Sequence, residues 1–477
     1  MFDLIRDKNI LVVGMARSGM AAVELLAKTG AANITVTDRK RPEELQAELA
    51  WLERYPVVRT VTGDNPPGLV TKDLSMVIKS PGVPPSLELF KRAKELGVPV
   101  LSEIELAYAF LKAPLVGVTG TNGKTTTTSL IAEILKEARF APVVAAGNIG
   151  NPLCGLVGKV GSQGFVVAEL SSFQLEDIQN FRPAVAVVLN FSEDHLDYHG
   201  SIDRYYRAKL RIFENQTKND FAVLNAGDRD VALMQNKVHS RLLWFDRAPV
   251  TLGVGLENDR IMLYKPDCEP VEICLRTEVA LPGEHNLENA LAASAAAWAA
   301  GADLQSIGRV LRSFRAIEHR LENFITLNGV DYINDSKGTN PGATIKALRS
   351  FPGKEIILIA GGKNRGSDFS ELAALIKQKV RLLLLIGETG SEIAGIMEYN
   401  GYKNYRRLET LAEAVLAAQK EAHTGDIVLL SPACASWDMF TDYEERGNMF
   451  KELVKALKTE GKGRGEDEDE KERSTQI

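Results

Sequence analysis

A short apolar run leads directly into a glycine-rich loop and then into a stretch of helical composition. The run is Leu115–Thr119, and the loop Gly120–Thr126 reads GTNGKTT. A strand that is followed by a glycine-rich loop and by the N-terminus of a helix directs its backbone N–H groups toward a phosphate. We expect Lys124 to reach the β- and γ-phosphates of a nucleotide and Thr125 to hold Mg²⁺. The loop departs from the GxxxxGK[ST] spacing, because Val118 stands where the first glycine would be.

Two further polar residues follow the next apolar runs. Glu169 comes directly after Phe165–Ala168, and His195 comes shortly after Val185–Leu189. In open parallel sheets, ligands bind beyond the carboxyl ends of the strands. Glu169 and His195 should therefore face the same crevice as Lys124, where phosphoryl transfer requires metal ligands. We predict that both residues bind metal.

Short β-branched runs alternate with helical patterns along almost the whole chain of 477 residues. This alternation predicts an α/β protein with parallel sheets covered by helices. We expect three domains: a Rossmann-like domain at 1–113, a central P-loop-type ATPase domain at 114–316 and a second Rossmann-like domain at 317–460. Residues 461–477 are charged and almost without apolar side chains. Such a composition predicts a disordered tail.

The net charge of -6 gives no general attraction to nucleic acid or to anionic membranes. Neither is expected as a partner. The apolar runs Ile10–Gly14 and Ala290–Ala300 are too short for a secretory signal or a membrane span. Four cysteines without metal-ligand spacing predict buried free thiols in a reducing compartment. The sequence therefore predicts a cytoplasmic protein.

A second glycine motif lies near the N-terminus. Gly14–Gly19 (GMARSG) follows a predicted strand and opens a predicted helix, and Asp38 follows the next strand about twenty residues later. Ala16 occupies the middle glycine position of this dinucleotide-type fingerprint. An NAD-binding oxidoreductase is one alternative, but it leaves Lys124 and Glu169 unexplained. A regulatory nucleotide-binding protein without catalytic activity is another.

Nine motifs occur along the chain in an order that is typical of one family. They are GTNGKTT (120–126), GNIG (147–150), ELSSFQLE (169–176), NFSEDHLD (190–197), YRAKLRIF (206–213), GEHNLENALAA (283–293), EHRLE (318–322), NDSKGTNPGAT (334–344) and SPACASWDMF (431–440). In these motifs the chain resembles the Mur ligase family over nearly its full length.

The resemblance implies an ATP-dependent ligase that activates a carboxylate as an acyl phosphate and joins it to an amine. Within the family, the motifs are most similar to those of the branch that adds D-glutamate to UDP-N-acetylmuramoyl-L-alanine during cytoplasmic peptidoglycan precursor synthesis. The implied partners are these small-molecule substrates, and the implied state is a monomer. A relative that uses another amino acid or a folate-like acceptor is the alternative within the ligases.

The resemblance also implies the nucleotide and metal ligands. ATP would contact the loop residues Gly120, Thr121, Asn122, Gly123, Lys124, Thr125 and Thr126, and its adenosine would contact Asn286, Asn289, Arg320 and Asp335. Two Mg²⁺ ions are implied, one held by Thr125 and Glu169 and a second held by His195. Lys209 resembles the family lysine that is carbamylated, which would turn a cation into an anionic oxygen donor for Mg²⁺. The alternative is an unmodified surface lysine. Lys124, Glu169, His195 and Lys209 are the implied catalytic residues.

The substrate contacts follow in the same way. The implied contacts to the uridine diphosphate are Arg17, Ser18, Asp38, Arg39 and Ser80, and Asn148 would lie nearer the sugar and peptide. The incoming amino acid would be chosen by the C-terminal domain, near Lys337, Thr339, Arg365, Ser436 and Tyr443. Arg365 could pair with a carboxylate through two hydrogen bonds. His319 is a weak candidate for the base that deprotonates the amine, and a structural role is an equal alternative.

Overall fold

The computed structural model describes residues 5–314, 319–364 and 366–460. Their packing divides the chain into two compact units. The first comprises Met1–Phe191, Tyr198–Ala280 and Asn286–Phe314, and the second comprises Ser192–Asp197, Leu281–His285 and Arg315–Ile477. Arg365, Glu318 of the EHRLE motif and the predicted disordered tail 461–477 lie outside the described residues.

Strands and helices alternate along both units, as the sequence predicted. The strands are β1 (Asn9–Val13), β2 (Asn33–Asp38), β3 (Val58–Thr62), β4 (Leu74–Lys79), β5 (Val100–Ser102), β6 (Leu115–Thr119), β7 (Val143–Gly147), β8 (Phe165–Glu169), β9 (Val185–Val188), β10 (Phe221–Asn225), β11 (Arg241–Asp246), β12 (Gly253–Glu257), β13 (Arg260–Tyr264), β14 (Val271–Leu275), β15 (Glu322–Leu327), β16 (Val330–Asn334), β17 (Ile356–Gly361), β18 (Val380–Ile386), β19 (Tyr405–Arg407) and β20 (Ile427–Leu430).

The helices lie between these strands. They are α1 (Arg17–Lys28), α2 (Gln46–Leu52), α3 (Glu88–Leu96), α4 (Glu103–Tyr108), α5 (Lys124–Glu137), α6 (Ser172–Leu175), α7 (Leu196–His199), α8 (Ile202–Leu210), α9 (Arg229–Ala232), α10 (Glu284–Ala299), α11 (Leu304–Ser313), α12 (Pro341–Arg349), α13 (Ser370–Lys379), α14 (Gly390–Tyr399), α15 (Leu411–Glu421) and α16 (Tyr443–Glu460). The apolar run that begins at Ala290 forms the buried C-terminal part of helix α10.

The first unit contains two sheets. The first sheet has five parallel strands in the order β3-β2-β1-β4-β5. The chain goes from β1 to one side of the sheet and later returns to its other side, so the topological switch lies between β1 and β4. The loops after these two strands carry the GMARSG fingerprint and Ser80, which places both motifs at the expected binding edge of the sheet.

The second sheet has nine strands in the order β14-β13-β12-β11-β10-β9-β6-β8-β7. From β7 to β12 all neighbours pair in parallel. The pairs β12-β13 and β13-β14 are antiparallel, so this sheet is mixed at one edge, where the sequence had predicted parallel strands in general. Strand β6 lies between β8 and β9, and the carboxyl ends of these three strands therefore adjoin at one edge.

The second unit is built on a sheet of six strands in the order β15-β16-β20-β17-β18-β19. The edge pair β15-β16 is antiparallel, and the other pairs are parallel. Strand β17 is buried along its whole length, as expected for a parallel strand that is covered on both faces. Helix α12 begins after Asn340, whose side-chain Oδ1 accepts a hydrogen bond from the Ala343 N–H at 2.8 Å.

Apolar packing joins the two sheets of the first unit. A single buried cluster contains Ile10 and Val12 of β1 together with Val166 and Ala168 of β8. The clusters of the second unit consist of its own residues. Over the described part of the chain, we find no helix that is both long and apolar enough to cross a membrane.

The four cysteines are free thiols. Cys154, Cys274 and Cys434 are buried as predicted, but Cys268 is exposed. It lies in the turn between β13 and β14, where the residues on both sides are exposed as well. The prediction of burial was therefore wrong for this one thiol.

Candidate active site

The glycine-rich loop connects β6 to the N-terminus of α5. Gly120 and Gly123 both have positive φ angles, of 141° and 85°. A Cβ atom on Gly123 would lie 2.2 Å from Oδ1 of Asn289 in α10. The loop therefore requires glycine at position 123 for its backbone conformation and for its close approach to α10.

Asn190 fixes the loop from the end of the neighbouring strand. Its Oδ1 accepts from the Asn122 N–H at 2.8 Å, and its Nδ2 donates to the Asn122 carbonyl at 3.0 Å. Its own carbonyl accepts from the Thr121 N–H at 2.9 Å. Sequence reasoning missed this role. The signal was available, because Asn190 opens the NFSEDHLD motif directly after the apolar run that contains β9.

Thr125, Glu169 and Asn148 meet at the carboxyl end of β8. Thr125 Oγ1 donates to Glu169 Oε2 at 2.7 Å, and Asn148 Nδ2 donates to Glu169 Oε1 at 2.8 Å. Glu169 is 2% exposed. The sequence assigned Thr125 and Glu169 to one metal ion, and the structure brings their oxygen atoms together.

The two lysines of the site share a backbone acceptor. Lys124 Nζ donates to the carbonyls of Gly120 at 3.0 Å and Thr121 at 2.8 Å. Lys209 Nζ also donates to the Gly120 carbonyl, at 2.8 Å, and lies 4.7 Å from the centre of the Tyr205 ring. Lys209 is 2% exposed, so the alternative of a surface lysine was wrong.

The predicted adenosine contacts are divided between the two units. Asn286 and Asn289 belong to the first unit, where Asn289 Nδ2 donates to Asn286 Oδ1 at 3.2 Å. Thr127 Oγ1 donates to Asn289 Oδ1 at 3.3 Å, which connects α5 with α10 next to the loop. Arg320 and Asp335 belong to the second unit.

Thr125 and Glu169 fit a magnesium ion by the chemistry of their donor atoms. Mg²⁺ prefers oxygen ligands, and these residues present a hydroxyl and a carboxylate at the end of the loop that would hold phosphates. Among the residues that the structure describes, no cluster of three or more His, Cys, Asp or Glu side chains could complete a metal site by itself. Substrate phosphates and water normally supply the remaining ligands of Mg²⁺.

His195 belongs to the second unit. Its backbone N–H donates to Asp194 Oδ1 at 2.9 Å, and its φ angle is 54°. It lines a cavity of about 260 Å³ together with Glu193, Asp194, Asp368 and Glu371. The imidazole thus has acidic neighbours, which are compatible with a bound cation.

The GMARSG fingerprint is fixed by Asp38 and Ser80. Asp38 Oδ2 accepts from the Met15 N–H at 2.8 Å, and Ser80 Oγ donates to the Gly14 carbonyl at 3.2 Å. These contacts join the loops after β1, β2 and β4. The remaining predicted diphosphate contacts lie on the same segments, where Arg17 and Arg39 are exposed and Ser18 is half-buried.

Four of the five predicted amino-acid contacts are described, and all belong to the second unit. Lys337 Nζ donates to the hydroxyl of Tyr443 at 3.1 Å and lies 4.7 Å from its ring centre. Thr339 is two residues beyond Lys337 and is half-buried, and Ser436 is 2% exposed. Arg365 lies outside the described residues.

Asp335 is held at the carboxyl end of β16. Ser431 Oγ donates to its Oδ2 at 2.7 Å, and the Leu321 N–H donates to its Oδ1 at 3.3 Å. Burial raises the pKa of Asp335 to about 6, although the positive charge of Arg320 opposes this shift. His319 is 5% exposed, and its Nδ1 lies 2.9 Å from Asn334 Nδ2. These contacts favour the structural role for His319.

Family models match three consecutive parts of the chain. They are described as "Mur ligase MurD-like, N-terminal domain" over residues 8–102, "Mur ligase middle domain" over 118–297 and "Mur ligase, glutamate ligase domain" over 319–434. The chain belongs to the Mur ligase family. Each matched range lies inside one of the three predicted domains, while the exact boundaries stay predictions.

Curated relatives match this Mur ligase over nearly its full length. One from Pelotomaculum thermopropionicum is 47% identical over 94% of this chain and 98% of that protein, and one from Clostridioides difficile is 42% identical over 95% of this chain and 100% of that protein. Both are named UDP-N-acetylmuramoylalanine--D-glutamate ligase. The family resemblance and the predicted enzyme class, an ATP-dependent amide-forming ligase, are confirmed.

A solved structure with a similar fold is the UDP-N-acetylmuramate-alanine ligase from Thermotoga maritima. It superposes with a TM-score of 0.59 at 22% identity, over 94% of this chain and 99% of that chain. This similarity confirms the predicted α/β fold of the Mur ligase with its N-terminal, central and C-terminal domains. The roles of the individual site residues remain predictions.

Proposed function

We propose that this Mur ligase uses ATP to join D-glutamate to UDP-N-acetylmuramoyl-L-alanine in cytoplasmic peptidoglycan precursor synthesis. The observation that carries the proposal is the hydrogen bond between Thr125 and Glu169, because it brings a buried carboxylate suited to Mg²⁺ next to a glycine-rich loop and helix N-terminus suited to phosphate. The names and the coverage of the curated relatives supply the substrate class.

In the first step, the γ-phosphoryl group of ATP passes to an oxygen of the L-alanyl carboxylate, which yields an acyl phosphate and ADP. The loop N–H groups and Lys124 would bind the phosphates and stabilise the charge that develops on them. Thr125 and Glu169 would hold one Mg²⁺, which when bound neutralises phosphate charge. Asn190 keeps the loop backbone in place through its three hydrogen bonds.

In the second step, the amine of D-glutamate attacks the acyl carbon. A C–N bond forms, the C–O bond to phosphate breaks, and the amine loses its proton. Lys337, Thr339, Ser436 and Tyr443 are the residues we assign to the amino acid. A cationic Lys337 beside the Tyr443 hydroxyl provides one site for a carboxylate.

Lys209 is proposed to carry a carbamate. Its neutral Nζ would attack CO₂, so that an N–C bond forms and a proton is released to solvent. The product has two oxygens that share one negative charge, in place of the ammonium that now donates to the Gly120 carbonyl. Together with His195, these oxygens would support a second Mg²⁺.

The substrate nucleotide is assigned to the first sheet. Arg17, Ser18, Asp38, Arg39 and Ser80 would bind the uridine diphosphate, with its phosphates at the N-terminus of α1. Asn148, which already contacts Glu169, would lie toward the sugar and peptide. Arg320, Asp335, Asn286 and Asn289 are assigned to the adenosine of ATP. We further propose that the enzyme is a monomer that binds neither nucleic acid nor membrane.

The test is phosphate release from ATP and Mg²⁺ in the presence of UDP-N-acetylmuramoyl-L-alanine. The reactions contain D-glutamate, L-glutamate, meso-diaminopimelate or no amino acid. Release with D-glutamate alone is the expected result. Release with another amino acid would keep the ligase reaction but contradict the specificity, and no release with any of them would contradict the proposed acceptor.

A further inference from the structure

Arg446 carries a fully buried guanidinium group in the second unit. It lies in the first turn of α16 and is 1% exposed. Nε donates to Ser336 Oγ at 3.0 Å, and Nη2 donates to the Ser336 carbonyl at 2.8 Å. Both Nη1 and Nη2 lie 3.3 Å from the Cys434 carbonyl, to which they donate. One planar group thus contacts two separate loops.

Those two loops carry the residues that we assign to the amino acid. Ser336 directly precedes Lys337, and Cys434 is two residues before Ser436. Ser336 Oγ, which accepts from Arg446, in turn donates to the Tyr443 carbonyl at 2.8 Å. The guanidinium therefore links the loop of Lys337 to the loop of Ser436, in addition to the hydrogen bond of 2.9 Å from the Ala433 N–H to the Gly338 carbonyl.

Stability alone does not account for an arginine here. The hydrogen-bond acceptors described for Arg446 are two carbonyls and a hydroxyl, and burial lowers the pKa of the guanidinium to about 10. The negative charges of Asp335 and Asp438 offset part of this shift, although neither carboxylate accepts a described hydrogen bond from Arg446. Desolvation of a charge whose hydrogen bonds go to neutral groups costs free energy, and an apolar side chain of similar volume is often as stable or more so. An apolar replacement would lose the planar set of N–H donors with which the guanidinium contacts both loops.

We propose that Arg446 is a positioning residue for the incoming amino acid, because its guanidinium joins the loop that carries Lys337 to the loop that carries Ser436. The proposal rests on the assignment of D-glutamate to this unit. Arg446 acts through these loops and does not itself contact the substrate. It should therefore affect the use of the amino acid and leave the formation of the acyl phosphate intact.

Hydroxylamine separates these two effects. It is a small nucleophile that attacks acyl phosphates without needing an amino-acid site, so ADP release with hydroxylamine reports the first step alone. The Arg446→Lys variant keeps the positive charge but cannot contact both loops with a planar fork. We expect its KM for D-glutamate to rise about tenfold or more, equivalent to about 1.4 kcal/mol. ADP release with hydroxylamine and the KM for ATP should stay within about twofold of wild type.

Arg381→Lys is the matched control. Arg381 belongs to the same unit and donates to Asp426 at 2.6 Å and to the Glu421 carbonyl at 2.7 Å, away from the two loops in sequence. Its KM for D-glutamate should not change. An unchanged KM for Arg446→Lys would overturn the proposal, and so would an equal loss of D-glutamate and hydroxylamine turnover. If wild type shows no turnover with D-glutamate, the proposed function itself fails.

Ser336→Ala is the second variant, for the case that Arg446→Lys does not fold. It removes the hydroxyl that accepts from Arg446 Nε and donates to the Tyr443 carbonyl, while the Ser336 carbonyl still accepts from Nη2. We expect a rise in the KM for D-glutamate of about three- to tenfold, with hydroxylamine turnover retained. In the double variant the two effects should be less than additive, because each single variant already disrupts the shared contact between Arg446 Nε and Ser336 Oγ. Full additivity would contradict the proposed link.

Discussion

Thr125 Oγ1 and Glu169 Oε2 are joined by a hydrogen bond of 2.7 Å. The two residues come from different elements, α5 and β8, and their separation along the chain is 44 residues. Their contact places a buried carboxylate at the end of the loop that would hold the phosphates of ATP. The geometry makes the Glu169 carboxylate the first target for a test of metal dependence.

The Glu169→Gln variant should lose most of its ligase activity. The amide keeps the shape of the side chain but removes the negative charge that favours Mg²⁺. We expect kcat to fall about 100-fold and the Mg²⁺ concentration for half-maximal rate to rise about tenfold. Glu133→Gln, on the exposed side of α5, is the control and should match wild type. A normal Mg²⁺ requirement in Glu169→Gln would contradict the assignment.

The Gly123→Ala variant should be less stable and bind ATP more weakly. The new Cβ would lie 2.2 Å from Asn289 Oδ1, at a φ angle of 85° that disfavours alanine. We expect the free energy of unfolding to fall by about 1–3 kcal/mol in urea titrations. Calorimetry with a non-hydrolysable ATP analogue measures the binding.

Two further variants control for that result. Gly155→Ala introduces a Cβ with nothing within 4 Å, so its free energy of unfolding should stay within about 0.5 kcal/mol of wild type. In an Asn289→Ala background the close contact is gone, and Gly123→Ala should then cost less. An equal cost in both backgrounds would show that the contact with Asn289 is unimportant.

The central strands were predicted from the sequence, but the antiparallel edge of the second sheet was not. Strands β6 and β17 are continuous apolar runs, because helices cover both of their faces. Strand β13 alternates exposed and buried residues instead, and it was overlooked. The sequence signal was the dipeptide Asn258-Asp259, because both residue types tolerate the left-handed conformation. In the structure these two residues connect β12 to β13 with positive φ angles, as is typical of a β-hairpin.

The same contrast holds for the site. Thr125 and Glu169 stand in motifs at strand ends, and the sheet topology brings them together as expected. The contact of Asn148 with Glu169 was not predicted, because the motif of Asn148 pointed to the sugar and peptide of the substrate. Arg446 follows Glu444 and Glu445 and reads as one more charge on an exposed helix face. Its burial depends on two loops that are distant in sequence, so no local pattern reveals it.

Lys209→Arg should abolish most of the activity without removing the positive charge. A guanidinium remains protonated and cannot react with CO₂. We expect kcat to fall at least about tenfold, and ¹³C NMR under ¹³CO₂ should show a carbamate signal in wild type that the variant lacks. Lys136→Arg, at an exposed lysine of α5, should retain both the activity and the signal. Normal turnover by Lys209→Arg would contradict the carbamate.

Glu103 should make the stability of the protein fall as the pH rises. Its Oε1 accepts from the Cys154 N–H, and burial raises its pKa from 4.5 to about 7. Between these values the native state binds a proton that the unfolded chain does not, so the free energy of unfolding decreases with pH, by about 3 kcal/mol at most. Glu103→Gln removes this titration, and its urea unfolding should change less between pH 5 and pH 8. Glu88→Gln, at an exposed carboxylate, should keep the wild-type slope. Equal slopes in wild type and Glu103→Gln would show that Glu103 does not titrate in this range.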